Sequence, residues 1–120
     1  MIYGIGNDMI EIRRIRRSLS QGRFACFVYS EKERAAFGGD AVKLAGCFAA
    51  KEALGKALGT GVRGFSLREV SVLRDALGKP YFELDGAAAE ILRSRRLRAF
   101  VALTNTGVYA LANVVLEEEA

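Results

Sequence analysis

A long helical segment bounded by glycines at both ends constrains this chain more than any other feature. Gly38-Gly39 breaks the chain, Asp40 is a good N-cap, and about residues 41 to 58 then read as one continuous helix. Gly59-Thr60-Gly61 stops it, as glycine does after a last turn. On a helical wheel at about 100° per residue, with Leu44 at zero, Phe48, Ala45 and Ala49 span one apolar arc. Glu52 falls at about 80°, inside that arc, and Lys56 follows at about 120°. A carboxylate there must pair, bind a cation, or lie where the packed face ends. The spacing allows an i,i+4 ion pair between Glu52 and Lys56. It equally allows a site for a metal and a phosphate, and the wheel alone leaves both open.

The remaining elements arrange themselves around that helix. Ile2 to Asn7 predict a short strand, in which Gly4, Gly6 and Asp8 project to one side. Two glycines there leave room for another backbone or a ligand to come close. A helix is expected over about 9 to 19, with Ile12, Ile15 and Leu19 as its buried stripe. Asp8 and Glu11 resemble a capping box at its start, so Asp8 can be read simply as an N-cap. A helical turn fits Arg23 to Val28, and Ser30 with Glu33 opens a helix to about Phe37. Between Val70 and Leu84 two strands flank the turn Asp75 to Pro80. A helix follows over about 87 to 96, then apolar strands over about 98 to 105 and 108 to 116. Glu117 to Glu119 read as a solvated tail. The order implies an α+β fold in a single domain over residues 1–120, with a mostly antiparallel sheet packed on one long helix and shorter helices.

Composition narrows the chemistry. There is no histidine, which excludes Ser-His-Asp triads, histidine-ligated zinc and imidazole proton shuttles. Cys26 and Cys47 are too few for a disulfide scaffold and fit reduced thiols. No apolar run approaches the roughly 18 residues of a membrane span, and no secretory signal is evident, so the expected setting is the cytoplasm. The net charge of +4 favours anionic partners. Arg13, Arg14, Arg16 and Arg17 concentrate that charge on one short helix. Aromatic side chains do not interleave with them, and no nucleic-acid-binding motif appears, so nucleic acid is not the expected partner. A solvated helix face is the plain alternative. Asp8 and Glu52 together offer hard oxygen ligands, which suit Mg²⁺ when a substrate phosphate completes the coordination.

Two stretches resemble a known family. Gly4-Ile5-Gly6-Asn7-Asp8-Met9-Ile10-Glu11 is similar to the opening motif G-I-G-x-D-x-x-E of the holo-acyl-carrier-protein synthases. Phe48-Ala49-Ala50-Lys51-Glu52-Ala53-Leu54-Gly55-Lys56-Ala57-Leu58-Gly59-Thr60-Gly61 is similar to the second motif of that family. Gly78-Lys79-Pro80-Tyr81 and the final hairpin look like its last third.

The resemblance implies a 4'-phosphopantetheinyl transferase-like fold and Mg²⁺-dependent transfer of the phosphopantetheine arm of coenzyme A to a serine of apo acyl carrier protein. Adenosine 3',5'-bisphosphate would be the leaving group, and fatty-acid biosynthesis the setting. Asp8 and Glu52 would hold the metal. Lys56 would add a cation at the phosphates, and the serine's proton would go to Glu52, Asp8 or a metal-bound water. Coenzyme A would be met by Lys43, Lys56, Gly59, Gly61, Lys79, Pro80 and Asn105. Arg13, Arg14 and Arg17 would receive the acidic carrier protein. The family is a homotrimer with active sites between subunits. The chain departs from the family at two positions expected to face coenzyme A phosphates. Cys47 stands where arginine is usual, and Asn105 where histidine is usual. A catalytically degenerate member that binds without turnover is the alternative these departures raise.

Overall fold

The computed structural model describes residues 1–120. The chain runs β1 (Ile2–Glu11), α1 (Ile12–Leu19), α2 (Phe24–Val28), α3 (Glu31–Phe37) and α4 (Ala41–Leu58). After a 3-10 turn (Leu67–Glu69) come β2 (Val70–Arg74), β3 (Pro80–Leu84), α5 (Gly86–Ser94), β4 (Leu97–Asn105) and β5 (Tyr109–Glu118). The expected α+β architecture is present. Every strand pairing is antiparallel, but there are two sheets, β1-β5-β4 and the hairpin β2-β3. Helix α4 spans the inner face of the larger sheet, and its Leu44, Ala49, Ala53 and Leu54 share one core with Ile10, Ala110, Ala112 and Val114.

α4 begins and ends as the sequence predicts. The Asp40 carboxylate accepts the backbone N–H groups of Val42 and Lys43, and Gly59 closes the helix in the left-handed conformation, at φ 85°. The capping box of α3 also forms, with Ser30 and Glu33 each bonding the other's backbone N–H.

β1 differs from the expectation. It does not stop at Asn7 but continues to Glu11, because Met9 and Ile10 keep pairing with Leu111 and Ala110 of β5. Asp8 is therefore a residue of the strand and not a helix cap. Glu11 occupies the cap position of α1, without a side-chain cap bond. At the other end of the sheet β5 runs on to Glu118. Glu117 is thus no loose tail residue: it pairs with Arg98 of β4 at 2.7 Å.

The space beside Gly4 and Gly6 is filled by backbone. A Cβ on Gly4 would collide with the carbonyl of Ala57, and one on Gly6 with the carbonyl of Ala53. β1 consequently lies directly on the turns of α4, which no larger residue would permit.

One buried polar hub, absent from the sequence reading, joins the smaller elements to α4. Lys51 is fully buried. Its Nζ donates to the carbonyls of Val28 at 2.6 Å and Leu67 at 3.0 Å, and to Glu33 Oε1 at 2.6 Å. Glu33 Oε2 accepts the Val72 N–H at 3.0 Å. One ammonium thus fastens α2, α3, the 3-10 turn and, through Glu33, β2. Removing one partner of such a pair strands the other charge in the core. Lys51→Met is expected to lower unfolding stability at pH 7 by about 3–5 kcal/mol, read by urea denaturation. The double variant Lys51→Met/Glu33→Gln is expected to regain part of that loss.

Candidate active site

The side chain following Gly4 and Gly6 on the same face of β1 is Asp8. The close approach of β1 to α4 brings it to Lys56, whose Nζ donates to Asp8 Oδ1 at 3.1 Å. The i,i+4 pair between Glu52 and Lys56 is not formed; Lys56 spans to the strand instead. α4 is buried on nearly all sides. Phe48, Glu52 and Lys56, at four-residue spacing, are among its few residues that reach the surface. Glu52 thus lies on an open seam of the helix and not inside a sealed apolar arc.

Asp8 and Glu52 are close enough to repel. Partial burial pushes the Glu52 carboxyl above its ordinary value, the Asp8 charge pushes it further, and Lys56 only partly opposes the rise. The ionised form of Glu52 is therefore the form the site lacks a partner for. A divalent cation between the two carboxylates would supply one. No group of three or more acidic or cysteine side chains is placed to hold a metal ion. Two carboxylates match an ion that takes its other ligands from substrate phosphates and water, as Mg²⁺ does.

The other expected coenzyme A residues divide between the two ends of α4. At its C-terminal end, Gly59 and Gly61 form the stop, with the Gly61 N–H donating to the Gly55 carbonyl at 3.0 Å. At its N-terminal end, Lys43 and Asn105 line a common cleft of about 340 Å³. Arg74 and Thr104 line it too. Lys79 and Pro80 do not line it: the Lys79 N–H closes the β2-β3 turn on Asp75, and Pro80 opens β3 opposite Arg74. Cys47 turns away from the surface, and its Sγ lies 3.5 Å from the Val72 carbonyl in the core. Burial pushes its thiol well up, so it is a packing residue and not a reactive one.

Arg13, Arg14 and Arg17 are all exposed on α1, which starts four residues after Asp8. Arg13 donates to Glu11 at 3.1 Å; Arg14 and Arg17 have no carboxylate partner. The sequence reading did not single out Arg74. Its signal was the alternation Val70, Val72, Arg74 on one face of β2, which ends an apolar row on a cation.

A long helix carrying Glu52 and Lys56, with an acid-bearing strand laid on it, gathers two carboxylates and a cation, a set suited to a metal and a phosphate. The chain matches the family model of the 4'-phosphopantetheinyl transferase superfamily over residues 4–112, and it belongs to that superfamily. It is 46% identical to the holo-[acyl-carrier-protein] synthase of Azoarcus sp. (strain BH72) over 123 residues, covering 98% of each chain. It is 40% identical to that of Fusobacterium nucleatum over 121 residues, covering 97% of this chain and 99% of the relative. The crystal structure of the Neisseria meningitidis synthase superposes with a TM-score of 0.91 at 38% identity, covering 98% of this chain and all 100% of that one. A Bacillus anthracis synthase solved in complex with CoA (3',5'-ADP) superposes with a TM-score of 0.84 at 33% identity, covering 99% of both.

The Glu52 environment has a measurable consequence. A carboxyl with a raised folded-state value favours the fold while protonated and loses that contribution as pH rises through the raised value. Glu52→Gln is therefore expected to raise the melting temperature of the metal-free protein at pH 7. The gain should shrink as pH falls through the Glu52 titration, and the variant should lose any stabilisation by Mg²⁺. Thermal scans with EDTA and with Mg²⁺ read all three.

Proposed function

We propose that this protein transfers the 4'-phosphopantetheine arm of coenzyme A to a serine hydroxyl of apo acyl carrier protein, releasing adenosine 3',5'-bisphosphate. The observation that carries the reading is the meeting of Asp8, Glu52 and Lys56 where β1 rests on α4, in a member of this superfamily. Asp8 and Glu52 would hold a Mg²⁺ ion, whose chemistry is to neutralise charge on the pyrophosphate oxygens. Lys56 stands beside Asp8 as a fixed cation, so it stabilises the charge that builds on the leaving phosphate. Glu52 Oε takes the proton of the attacking serine. Its place on the open seam of α4 admits the hydroxyl. Gly59 and Gly61 border the same end of α4 and let a substrate approach the backbone closely. Lys79 of the β2-β3 turn and Pro80 at the start of β3 extend the coenzyme A surface.

The site is shared between subunits in this reading. Lys43 and Lys56 are separated by about 20 Å along α4 at 1.5 Å per residue. The outer face of the larger sheet supplies a surface for assembly. Ile5 of β1, Val115 of β5 and Phe100 of β4 form one cross-strand row, and Ile5 is 70% and Phe100 47% exposed. A homotrimer packed on these faces would bring the Lys43 end of one chain to the Lys56 end of another.

Binding without turnover is the second reading. It is favoured by Cys47, which offers no charge where the family has arginine. Incubation with apo acyl carrier protein, coenzyme A and Mg²⁺, followed by mass spectrometry of the carrier, decides between them. An adduct of the mass of phosphopantetheine is expected, and EDTA should abolish it. Glu52→Ala should give no adduct while light scattering still reads three chains per particle. Absence of adduct with the wild type, beside a carrier that another synthase modifies, selects binding without turnover.

The exposed arginines of α1 fit an acidic carrier protein, with charge complementarity setting orientation and on-rate. Neutralising Arg13, Arg14 and Arg17 together is expected to raise the KM for carrier protein at least tenfold and leave that for coenzyme A within about twofold. Equal losses for both substrates would place these arginines in the fold or the nucleotide site.

A further inference from the structure

We propose that Arg74 is the cation that binds the 3'-phosphate of the donor nucleotide, taking over the charge that position 47 lacks. The proposal rests on coenzyme A being the donor. Arg74 and Lys43 line the 340 Å³ cleft at the start of α4, and neither is paired with a carboxylate. Lys43 Nζ sits over the Phe37 ring at 5.9 Å, which leaves its charge available. Asp40 is the one acid lining the cleft, and its Oδ1 is engaged by the N–H groups of Val42 and Lys43. Asn105 Oδ1 accepts the Gly107 N–H at 3.0 Å, so its amide nitrogen remains as a donor. The Thr104 hydroxyl adds another. Two cations and two neutral donors outnumber the one carboxylate, which is turned to capping α4, and make a pocket for an anion that needs no metal.

Position explains why Arg74 can substitute for a residue on another element. Cys47 touches β2 at the Val72 carbonyl, and Arg74 is two residues further along the same strand face. The Arg74 charge is near enough to the Cys47 sulfur to oppose the rise of its thiol. Arg74 also donates to the Gly78 carbonyl at 3.3 Å, which holds its guanidinium at the β2-β3 turn. The charge missing from α4 is thus present on β2 at the same edge of the core. The donor has phosphates at two places. The reacting pyrophosphate needs the acids and their metal; the 3'-phosphate takes no part in the reaction and needs only cations. The cleft suits the second.

Calorimetry with adenosine 3',5'-bisphosphate and with 5'-AMP tests this on the folded wild type and on Arg74→Ala and Arg74→Lys. Wild type should bind the bisphosphate more tightly than 5'-AMP. Arg74→Ala should weaken bisphosphate binding roughly 10- to 100-fold, as for a lost charge-assisted contact, and leave 5'-AMP nearly unchanged. Arg74→Lys should recover part of the loss, since a point charge replaces the planar fork. In the transfer assay Arg74→Ala should raise the KM for coenzyme A by a similar factor, move that for dephospho-coenzyme A less than twofold, and barely change kcat. Unchanged bisphosphate binding in Arg74→Ala overturns the proposal, as does equal weakening of bisphosphate and 5'-AMP. So does a lysine variant as weak as the alanine one, which would make Arg74 a packing residue. The two readings fail separately. Wild type that modifies the carrier while Arg74→Ala keeps its KM removes only the Arg74 role. Wild type that transfers nothing, yet loses bisphosphate affinity in Arg74→Ala, removes only the transfer reaction.

Discussion

The contact of β1 with α4 at glycine distance organises this molecule. Two backbones can lie this close only where neither Gly4 nor Gly6 carries a Cβ. α4 answers with small residues, Ala49, Ala53 and Ala57, along the buried side. The approach lets the Asp8 carboxylate, on a strand, meet the Lys56 ammonium, on a helix 48 residues later. Everything assigned to the reacting centre follows from that geometry. The same contact costs the protein side-chain packing area, because glycine and alanine bury little apolar surface. Lys51 and Glu33 offset this from within, tying the short helices to α4 by charge-assisted hydrogen bonds where hydrophobic area is scarce.

Much of this was legible in the residues. The limits of α4, the Ser30-Glu33 box, the β2-β3 hairpin and the final two strands each carry a local signal, and local signals decide them. The glycine face of β1 also read correctly as a place of close approach. The failures share a cause. Asp8 and Glu11 have the spacing of a cap, yet pairing with β5 carries the strand through them, because Ile10 must reach the core. Glu52 and Lys56 have the spacing of a helix pair, one of the two readings the wheel left open, yet Lys56 bonds Asp8 on β1 instead. In each case a contact distant in sequence overrode a pattern visible within four residues.

Lys51 shows the opposite kind of illegibility. Inside Phe48-Ala49-Ala50-Lys51-Glu52 it looks like the solvated neighbour of a functional acid. It is the fully buried one, and Glu52 is the one near the surface. Helical periodicity could not separate them, because α4 is enclosed on almost every side and has no polar face to set the phase. The grouping of Asp8, Glu52 and Lys56 was legible, since the two stretches that carry them meet where β1 rests on α4. The site was less legible at the start of α4, where Arg74 of β2 joins Lys43 and Asn105 in lining one cleft.

The alternation along β1 has a consequence for how the molecule acquires its activity. Gly4, Gly6 and Asp8 face the helix, while Ile5 and Met9 face outward. A slip of one residue against β5 would exchange the two sets. It would drive Ile5 into the backbone of α4 and turn Asp8 out to solvent. A sheet so misaligned cannot seat against α4 at the native distance, where even a Cβ at Gly4 or Gly6 collides with the helix backbone. Acquiring the native register and bringing Asp8 to Lys56 are thus one event, and a chain folded in this register carries that carboxylate in place.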